Sequence, residues 1–188
     1  EGADWNDTYD MARERGESVG FYGFYGKNLR DLADALNVLM SNGTNTMELL
    51  EELSILLDRL PGQTPVNYNS AEEKQARLNN YFDLVRFNIK GNRISINIED
   101  LINDLRIKAN HISDIIGQQE WIDVDSEKGF FNGHYNNLGK RIDGVNKGEI
   151  QIDLTSQVMT IMHGIATDKQ ITKIMNAARY YLKDKRTK

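Results

Sequence analysis

Apolar residues recur along most of this chain at alternating steps of three and four positions, the spacing that places them on one stripe of an α-helix. The pattern starts at Ser18 and continues to Leu39. The following Ser41-Asn42-Gly43 favours turns and left-handed backbone, so the first predicted helix ends there. Its apolar stripe consists of Tyr22, Tyr25, Leu29, Leu32, Leu36 and Leu39.

The same spacing predicts five further helices, separated by polar loops. Two of them begin with a hydroxyl residue followed three positions later by Glu or Gln, which is the form of a capping box. These starts are Ser70-Ala71-Glu72-Glu73 and Thr167-Asp168-Lys169-Gln170. The five predicted helices cover residues 47–60, 70–91, 98–116, 152–165 and 167–182.

Residues 117–150 depart from this pattern. The segment holds six glycines and two aromatic clusters but no helical period, which predicts a loop with short extended pieces. It is too long for a passive connection. Arg93-Ile94-Ser95-Ile96 is predicted to be a short strand or an extended connection. The chain as a whole is predicted to be all-α, a bundle or part of an α-toroid, in a single region over residues 1–188.

The composition excludes several functional classes. The chain has no cysteine, which excludes disulfides, thiolate zinc sites and a cysteine nucleophile, and which fits a cytoplasmic location. With a net charge of −5 it has no footprint for nucleic acid, and no apolar run approaches the ~20 residues of a membrane span. The three histidines fit no zinc pattern, and residues 123–127 lack the glycine and final glutamate of a calcium loop, so no metal is predicted.

The N-terminal segment Asp4-Trp5-Asn6-Asp7 has the residue types of a sugar site. An indole ring stacks on the apolar face of a pyranose, while Asp and Asn bind its hydroxyl groups. A carboxylic acid held against an aromatic ring loses hydration, which raises its pKa and lets it donate a proton near neutral pH. The alternative is a capped loop with Trp5 in the core. For Glu17-Ser18 the alternative is a helix start, with Ser18 as the N-cap.

A second segment is rich in recognition groups. It comprises Trp121, residues 130–137 and residues 146–149, and it combines aromatic rings and amides with His134, Lys147 and Glu149. Such side chains offer stacking surfaces and many partners for sugar hydroxyls. The alternative is a long loop packed by its own aromatic residues.

Two parts of the chain carry a family resemblance. The first is Gly2-Ala3-Asp4-Trp5-Asn6-Asp7, followed by Gly16-Glu17-Ser18-Val19 at the start of a helix. The second runs through Phe131-Asn132-Gly133-His134-Tyr135, Gly139, Gly144, Ile152, Ser156-Gln157 and Gly164-Ile165-Ala166-Thr167-Asp168-Lys169-Gln170. In this order the segments resemble the catalytic domain of the cellobiose-phosphorylase family of inverting glycoside phosphorylases (glycoside hydrolase family 94). The Asp-Trp-Asn-Asp element is shared with debranching glucosidases, so it identifies the superfamily better than the substrate.

The resemblance implies an (α/α)6 toroid for the complete catalytic domain and a role for Asp7 as general acid. In such a reaction the acid protonates the glycosidic oxygen while inorganic phosphate attacks the anomeric carbon from the opposite face, so no cofactor is required. The resemblance also implies that Trp5 lines the acceptor-sugar subsite. Further candidates for sugar contacts are Asp4, Glu17, Tyr135, Glu149 and Gln157. The implied partners are an oligosaccharide or β-glucan and phosphate.

Proteins of this family are several times longer than 188 residues. We therefore expect the chain to be one piece of a catalytic domain, completed by the rest of the same polypeptide or by a partner chain. Two alternatives stay open. One is an inverting hydrolase with Asp7 as acid and Glu17 or Glu149 as base, which needs two carboxylates ~6.5–9.5 Å apart. The other is a helical carbohydrate-binding or assembly module without catalysis.

Overall fold

The computed structural model describes residues 10–146 and 148–183. The chain divides into two compact units. We call the residues up to Lys27 together with those from Ile112 onward the terminal unit, and Asn28–His111 the central unit. Both boundaries lie inside long helices rather than in a polar linker.

Five of the six predicted helices are present. Both predicted capping sequences act as caps: the Ser70 side chain accepts a hydrogen bond from the amide of Glu73, and Thr167 and Gln170 form the full reciprocal capping box. Local sequence therefore determines where these helices begin. The helices are α1 (Val19–Ser41), α2 (Ala71–Val85), α3 (Ile98–Gln119), α4 (Leu154–Met162) and α5 (Asp168–Tyr181).

The all-α fold expected from the sequence is wrong, and so is a toroid built of helices alone. The chain is mixed α/β: of the residues that the structure describes, 53% are helical, short 3-10 helices included, and 15% lie in strands. The strands are β1 (Glu17–Ser18), β2 (Thr46–Leu50), β3 (Arg93–Asn97), β4 (Trp121–Asp123), β5 (Gly129–Phe131), β6 (His134–Tyr135), β7 (Gly144–Asn146) and β8 (Glu149–Gln151). In the described part of the chain they pair as four two-stranded antiparallel sheets, β1–β6, β2–β3, β4–β5 and β7–β8.

The helix predicted over residues 47–60 is wrong, because its first part is strand β2. In the β2–β3 sheet Met47 lies opposite Ile96 and Leu49 lies opposite Ile94. All four side chains pack in or against the core of the central unit. Apolar residues at positions 47 and 49 fit a strand, in which alternate side chains share a face. Pairing with β3 supplies backbone hydrogen bonds and cross-strand contacts, and these override the helical spacing.

The central unit contains an apolar core and, in addition, a buried ionic cluster. The ammonium of Lys108 lies 3.0 Å from a carboxylate oxygen of Asp58 and also contacts the carboxylate of Asp104. These two aspartate side chains are 2% and 0% exposed. Tyr68 donates a hydrogen bond to Asp58 at 2.7 Å. The apolar core consists of Ala33, Leu36, Leu57, Leu60, Ile96, Ile98, Leu101, Ile102 and Leu105.

In the terminal unit the first turns of α1 pack closely against the region of α4. A Cβ on Gly20 would lie 2.7 Å from the sulfur of Met159, and one on Gly23 would lie 2.7 Å from the Cδ1 of Ile165. Glycine at these two positions lets the backbones approach without displacing either side chain.

None of the helices in the described ranges is long and apolar enough to cross a membrane.

Candidate functional site

The start of α1 and the glycine-rich segment meet in the β1–β6 sheet. Glu17 lies opposite Tyr135, and Ser18 lies opposite His134. Directly opposed residues of an antiparallel pair point to the same face, with Cβ atoms about 4.5–5.5 Å apart. Two predicted sugar contacts from distant parts of the sequence, Glu17 and Tyr135, therefore share one face of this sheet.

Ser18 also sets the beginning of α1. Its hydroxyl oxygen accepts a hydrogen bond from the amide of Phe21 at 3.3 Å, as an N-cap residue does. The amide of Val19 donates to the carbonyl of Gly133 at 2.9 Å. The helix start is thereby held on the glycine-rich segment, while the side chain of Glu17 is exposed to solvent.

The chain just before β1 is held on the same segment by Asn137. The side-chain oxygen of Asn137 accepts hydrogen bonds from the amides of Glu14 at 3.0 Å and Arg15 at 2.8 Å. Its backbone amide donates to the carbonyl of Met11 at 2.7 Å. Ala12 is fully buried and packs with Ile142. Residues 11–18 are therefore fixed against residues 133–142.

Glu120 is a buried acid that holds the Tyr135 side chain. It is 6% exposed and accepts hydrogen bonds from the Tyr135 hydroxyl at 2.8 Å and from the side-chain amide of Asn132 at 3.0 Å. The Nε of Arg141 lies 3.5 Å from the same carboxylate. Arg141 also donates to the carbonyl of Gln119. A buried carboxylate with these donors is a satisfied anchor for Tyr135 and Arg141.

The hydroxyl of Tyr135 is committed to this network. Burial raises the pKa of Tyr135, the Glu120 carboxylate raises it further, and Arg141 acts in the opposite direction. The phenol therefore stays protonated at neutral pH and donates its proton to Glu120. What Tyr135 can offer to a ligand is its half-buried ring rather than its hydroxyl.

A second buried acid, Asp143, lies behind the turn between β5 and β6. Asp143 is 2% exposed and accepts a hydrogen bond from the amide of Gly133 at 2.7 Å. Burial raises the pKa of Asp143 to about 6, with the charge of Asp153 adding to the effect, while the backbone amides of Gly133, Asp153 and His134 oppose it. Because its carboxyl group is buried against backbone, Asp143 holds this turn in place.

His134 and Asp153 complete the polar core around that turn. The His134 side chain is fully buried, and its Nδ1 lies 3.8 Å from a carboxylate oxygen of Asp153. Burial lowers the pKa of His134, and the nearby Asp153 opposes that shift. Asp153 is the N-cap of α4, since its side chain accepts hydrogen bonds from the amides of Thr155 and Ser156. The Ser156 hydroxyl donates to it at 2.6 Å.

Position 133 requires glycine because Ser156 and Asp143 approach its backbone closely. A Cβ at this position would lie 2.4 Å from the Ser156 hydroxyl oxygen and 2.9 Å from a carboxylate oxygen of Asp143. No larger side chain fits unless one of these neighbours moves. The turn that places His134 and Tyr135 therefore depends on glycine.

Gln157 has its side-chain amide fully engaged with backbone. Its oxygen accepts from the amide of Phe131 at 2.8 Å, and its nitrogen donates to the carbonyl of Phe131 at 2.8 Å and to that of Asp153 at 3.1 Å. The residue is completely buried. The structure therefore places this predicted sugar contact inside the fold, where it fixes β5.

Glu149 lies in a different sheet from Glu17 and Tyr135. It is exposed in β8, opposite Asn146 of β7, at the tip of a hairpin. The predicted general acid Asp7, and the predicted sugar contacts Asp4 and Trp5, lie outside the described residues.

Four residues of this site were not among the sequence predictions: Glu120, Arg141, Asp143 and Asp153. One of them has a local signal, because Asp153 directly precedes an apolar helical stretch and is a preferred N-cap residue. Glu120 directly follows α3 and precedes Trp121, and Asp143 lies among loop residues. Neither position differs from an ordinary surface acid until the fold buries it.

The exposed face and the buried acids have different chemical capacities. The carboxylate of Glu17 can accept hydrogen bonds from sugar hydroxyls, and the neighbouring ring of Tyr135 provides an apolar surface for stacking. Glu120 and Asp143 are shielded from solvent and orient the groups around them. Within residues 10–146 and 148–183 no group of three or more His, Asp or Glu side chains is arranged to hold a metal ion.

Comparison with known proteins adds no family assignment. No protein-family model matches the sequence, and no curated protein matches it significantly.

Proposed function

We propose that this chain carries part of the active site of an inverting glycoside phosphorylase that cleaves a β-glucosidic bond with inorganic phosphate. The single observation that supports the proposal most is the register of the β1–β6 sheet, in which Glu17 lies opposite Tyr135. These residues belong to the two motifs that resemble the cellobiose-phosphorylase family. The register brings the two motifs to one face, as a common binding site requires.

The general acid of the proposed reaction is Asp7. It precedes the first described residue, Asp10, by three positions. Met11 is fixed against Asn137, two positions after Tyr135, by a backbone hydrogen bond.

In the proposed reaction Asp7 donates its carboxylic proton to the glycosidic oxygen, and the bond between that oxygen and the anomeric carbon breaks. A phosphate oxygen forms the new bond to the anomeric carbon from the opposite face. A β-linked donor sugar is thereby released as its α-1-phosphate, and the shortened sugar leaves with the proton. One carboxylic acid is sufficient, because phosphate is a nucleophile without a base to activate it.

The surrounding residues position the sugar in this proposal. Glu17 binds hydroxyl groups of the substrate from the exposed face of β1. The ring of Tyr135 packs against a pyranose, while its hydroxyl is held by Glu120. Trp5 lines the acceptor-sugar subsite, and Asp4 supports it. Gln157 acts indirectly, through the backbone of Phe131.

The proposal is tested by measuring products with the protein at its full natural length. Purified protein is incubated with β-linked gluco-oligosaccharides of each linkage, with and without inorganic phosphate. Release of a sugar 1-phosphate that requires phosphate is the expected result. Failure to release it from any β-glucoside, by protein shown to be folded, contradicts the proposal. Equal cleavage without phosphate identifies a hydrolase instead.

Asp7→Asn separates catalysis from binding. Asn keeps the shape of the side chain but has no carboxylic proton to donate, so we expect the rate to fall by about 10²–10⁴-fold with little change in sugar affinity. Asp10→Asn, three residues further along, is the matched control and should keep most of the activity. An unchanged rate in Asp7→Asn would show that Asp7 is not the acid. A wild-type protein that binds the sugar but shows no turnover favours a binding module.

A further inference from the structure

The terminal unit contains a cavity that the proposed reaction does not use. It has a volume of about 560 Å³, which lies in the range of cavities that bind small molecules. Residues from the end of α3, from β4 and from the start of α5 line it, with Trp121 among them. Neither Glu17 nor Tyr135, nor Gln157, is among its lining residues.

Trp121 is held in one orientation at this cavity. Its ring meets that of Phe131 edge to face, with centroids 5.0 Å apart. Gly129, the register partner of Asp123, carries no side chain and leaves room for the indole, since a Cβ there would lie 2.5 Å from Trp121 Cζ2. The pKa of Asp123 is lowered, chiefly by a hydrogen bond from Lys173 and also by one from Trp121. An aromatic ring fixed at a cavity is preorganised for stacking.

The charges that line the cavity balance each other. Two carboxylates, Asp114 and Asp123, accompany two ammonium groups, Lys169 and Lys173. Lys173 is already engaged, because its ammonium lies 2.6 Å from Asp123 and 3.2 Å from the carbonyl of Asp125. The cavity therefore carries no excess positive charge for a phosphate or another anion.

The remaining polar groups suit a neutral ligand with many hydroxyls. Gln118 and Asp114 are exposed on α3 at the cavity and can donate to or accept from hydroxyl groups. The indole offers an apolar surface, and these two side chains offer a hydrogen-bond donor and acceptors beside it. A pyranose presents the same combination, an apolar ring face edged by hydroxyls.

We infer that the Trp121 cavity is a second carbohydrate-binding site, which holds a neutral oligosaccharide apart from the reaction centre. The inference is carried by the cavity itself, and only the choice of a β-glucan as probe rests on the proposed function. Adjacent residues connect the two sites. Glu120 fixes Tyr135, and the next residue, Trp121, lines the cavity, so both depend on the same end of α3.

Intrinsic fluorescence tests the inference, because the chain has two tryptophans. Trp5→Phe leaves Trp121 as the only indole among these 188 residues. The 188-residue protein with this change is titrated, without phosphate, with neutral gluco-oligosaccharides of two to four units in β and α linkage. A saturable change in emission with at least one of them is expected. No saturable response to any of them overturns the inference.

A pair of variants places the binding at the cavity. Gln118→Ala with Asp114→Ala removes two exposed lining groups and leaves the packing of Trp121 intact. Loss of two hydrogen-bonding groups should weaken binding by about tenfold or more. The matched control is Asn80→Ala with Asp83→Ala, an exposed amide and carboxylate on α2 of the central unit. Equal affinity in both double variants overturns the inference.

Two further outcomes are decisive. Inorganic phosphate alone should leave the emission of the Trp5→Phe protein unchanged, and a saturable phosphate response that the oligosaccharide does not share overturns the assignment of a neutral ligand. Sugar 1-phosphate release is measured separately in protein that retains Trp5. Binding at Trp121 without any phosphorolysis supports this site and rejects the proposed reaction, whereas phosphorolysis without binding at Trp121 does the reverse.

Discussion

The hydroxyl of Tyr135 donates to both carboxylate oxygens of Glu120, at 2.8 Å and 2.9 Å. Tyr135→Phe removes this donor but keeps the ring. Glu120 then loses one of its partners while it stays buried, so we expect the free energy of unfolding to fall by about 1–3 kcal/mol. Sugar affinity should change little, because the ring still provides the stacking surface.

Tyr135→Ala is the comparison for that variant. It removes both the donor and the ring, so it should weaken sugar binding as well as stability. Denaturant unfolding and a sugar-binding titration on both variants check this. If Tyr135→Phe weakens binding as much as Tyr135→Ala does, the hydroxyl contacts the ligand and the ring is not the recognition element.

Gly133→Ala tests the close approach behind the β5–β6 turn. The added Cβ would meet the Ser156 hydroxyl at 2.4 Å, so overpacking should cost about 1–3 kcal/mol of stability. Gly117→Ala is the control, because nothing lies within 4 Å of a Cβ there and alanine favours the helix. Thermal unfolding of both variants measures the difference. Equal stability of the two would show that the turn yields easily.

Because Asp143 is buried, we expect the free energy of unfolding to fall as the pH rises. Its pKa is raised to about 6 in the folded state, so folded protein retains a proton that the unfolded chain releases near pH 4. This contribution is complete below about pH 4 and is lost as pH rises through about 6. The full loss has an upper bound of about 3 kcal/mol.

Asp143→Asn isolates that contribution. Asn cannot ionise, yet it keeps an oxygen that accepts from the amide of Gly133. The free-energy difference between wild type and Asp143→Asn should therefore shift in favour of the variant from pH 4 to pH 7. Both proteins keep the buried His134, whose pKa is lowered by burial, so its contribution is common to the two. A difference that is independent of pH would show that Asp143 titrates normally.

Lys108→Met probes the ionic cluster of the central unit. It leaves the buried Asp104 without its ammonium partner and leaves Arg59, whose Nε lies 3.4 Å from the carboxylate, as the remaining cation beside Asp58, which should destabilise the protein by about 3–5 kcal/mol. Arg106→Met, two residues earlier on α3, breaks an exposed pair with Asp34 and should cost less than about 1 kcal/mol. Urea unfolding at pH 7 compares the two. Equal losses would contradict the burial argument.

Helix starts could be predicted from the sequence because their determinants are local. Ser70, Ser18 and Thr167 cap helices with groups only three residues away. The β2 strand could not be predicted in the same way. Its partner β3 lies more than 40 residues later, and Met47 and Leu50 also fit a helical stripe. The pairing energy that decides between the two comes from tertiary structure.

In the candidate site, too, the residues with a local sequence signal could be predicted and those defined by tertiary structure could not. Glu17 and Tyr135 were predicted because their motifs are recognisable along the chain, and the register of β1–β6 brings them together. Glu120 and Asp143 became apparent only in the fold, since an acid is distinguished by its burial and its donors, not by its neighbours in sequence. Gln157 is the opposite case. From the sequence its side-chain amide is a plausible ligand contact, but in the fold that amide is occupied by hydrogen bonds to the backbone of Phe131.

The division of the chain has a consequence for biosynthesis. The central unit is one continuous stretch, Asn28–His111, whereas the terminal unit is assembled from both sides of it. As the polypeptide leaves the ribosome, the central unit is complete while Glu17 and Ser18 still lack β6, their pairing partner. Units generally fold in the order in which they emerge. We therefore expect the nascent protein to pass through a stage with a folded central unit and an unpaired β1, and to form the Glu17–Tyr135 face last.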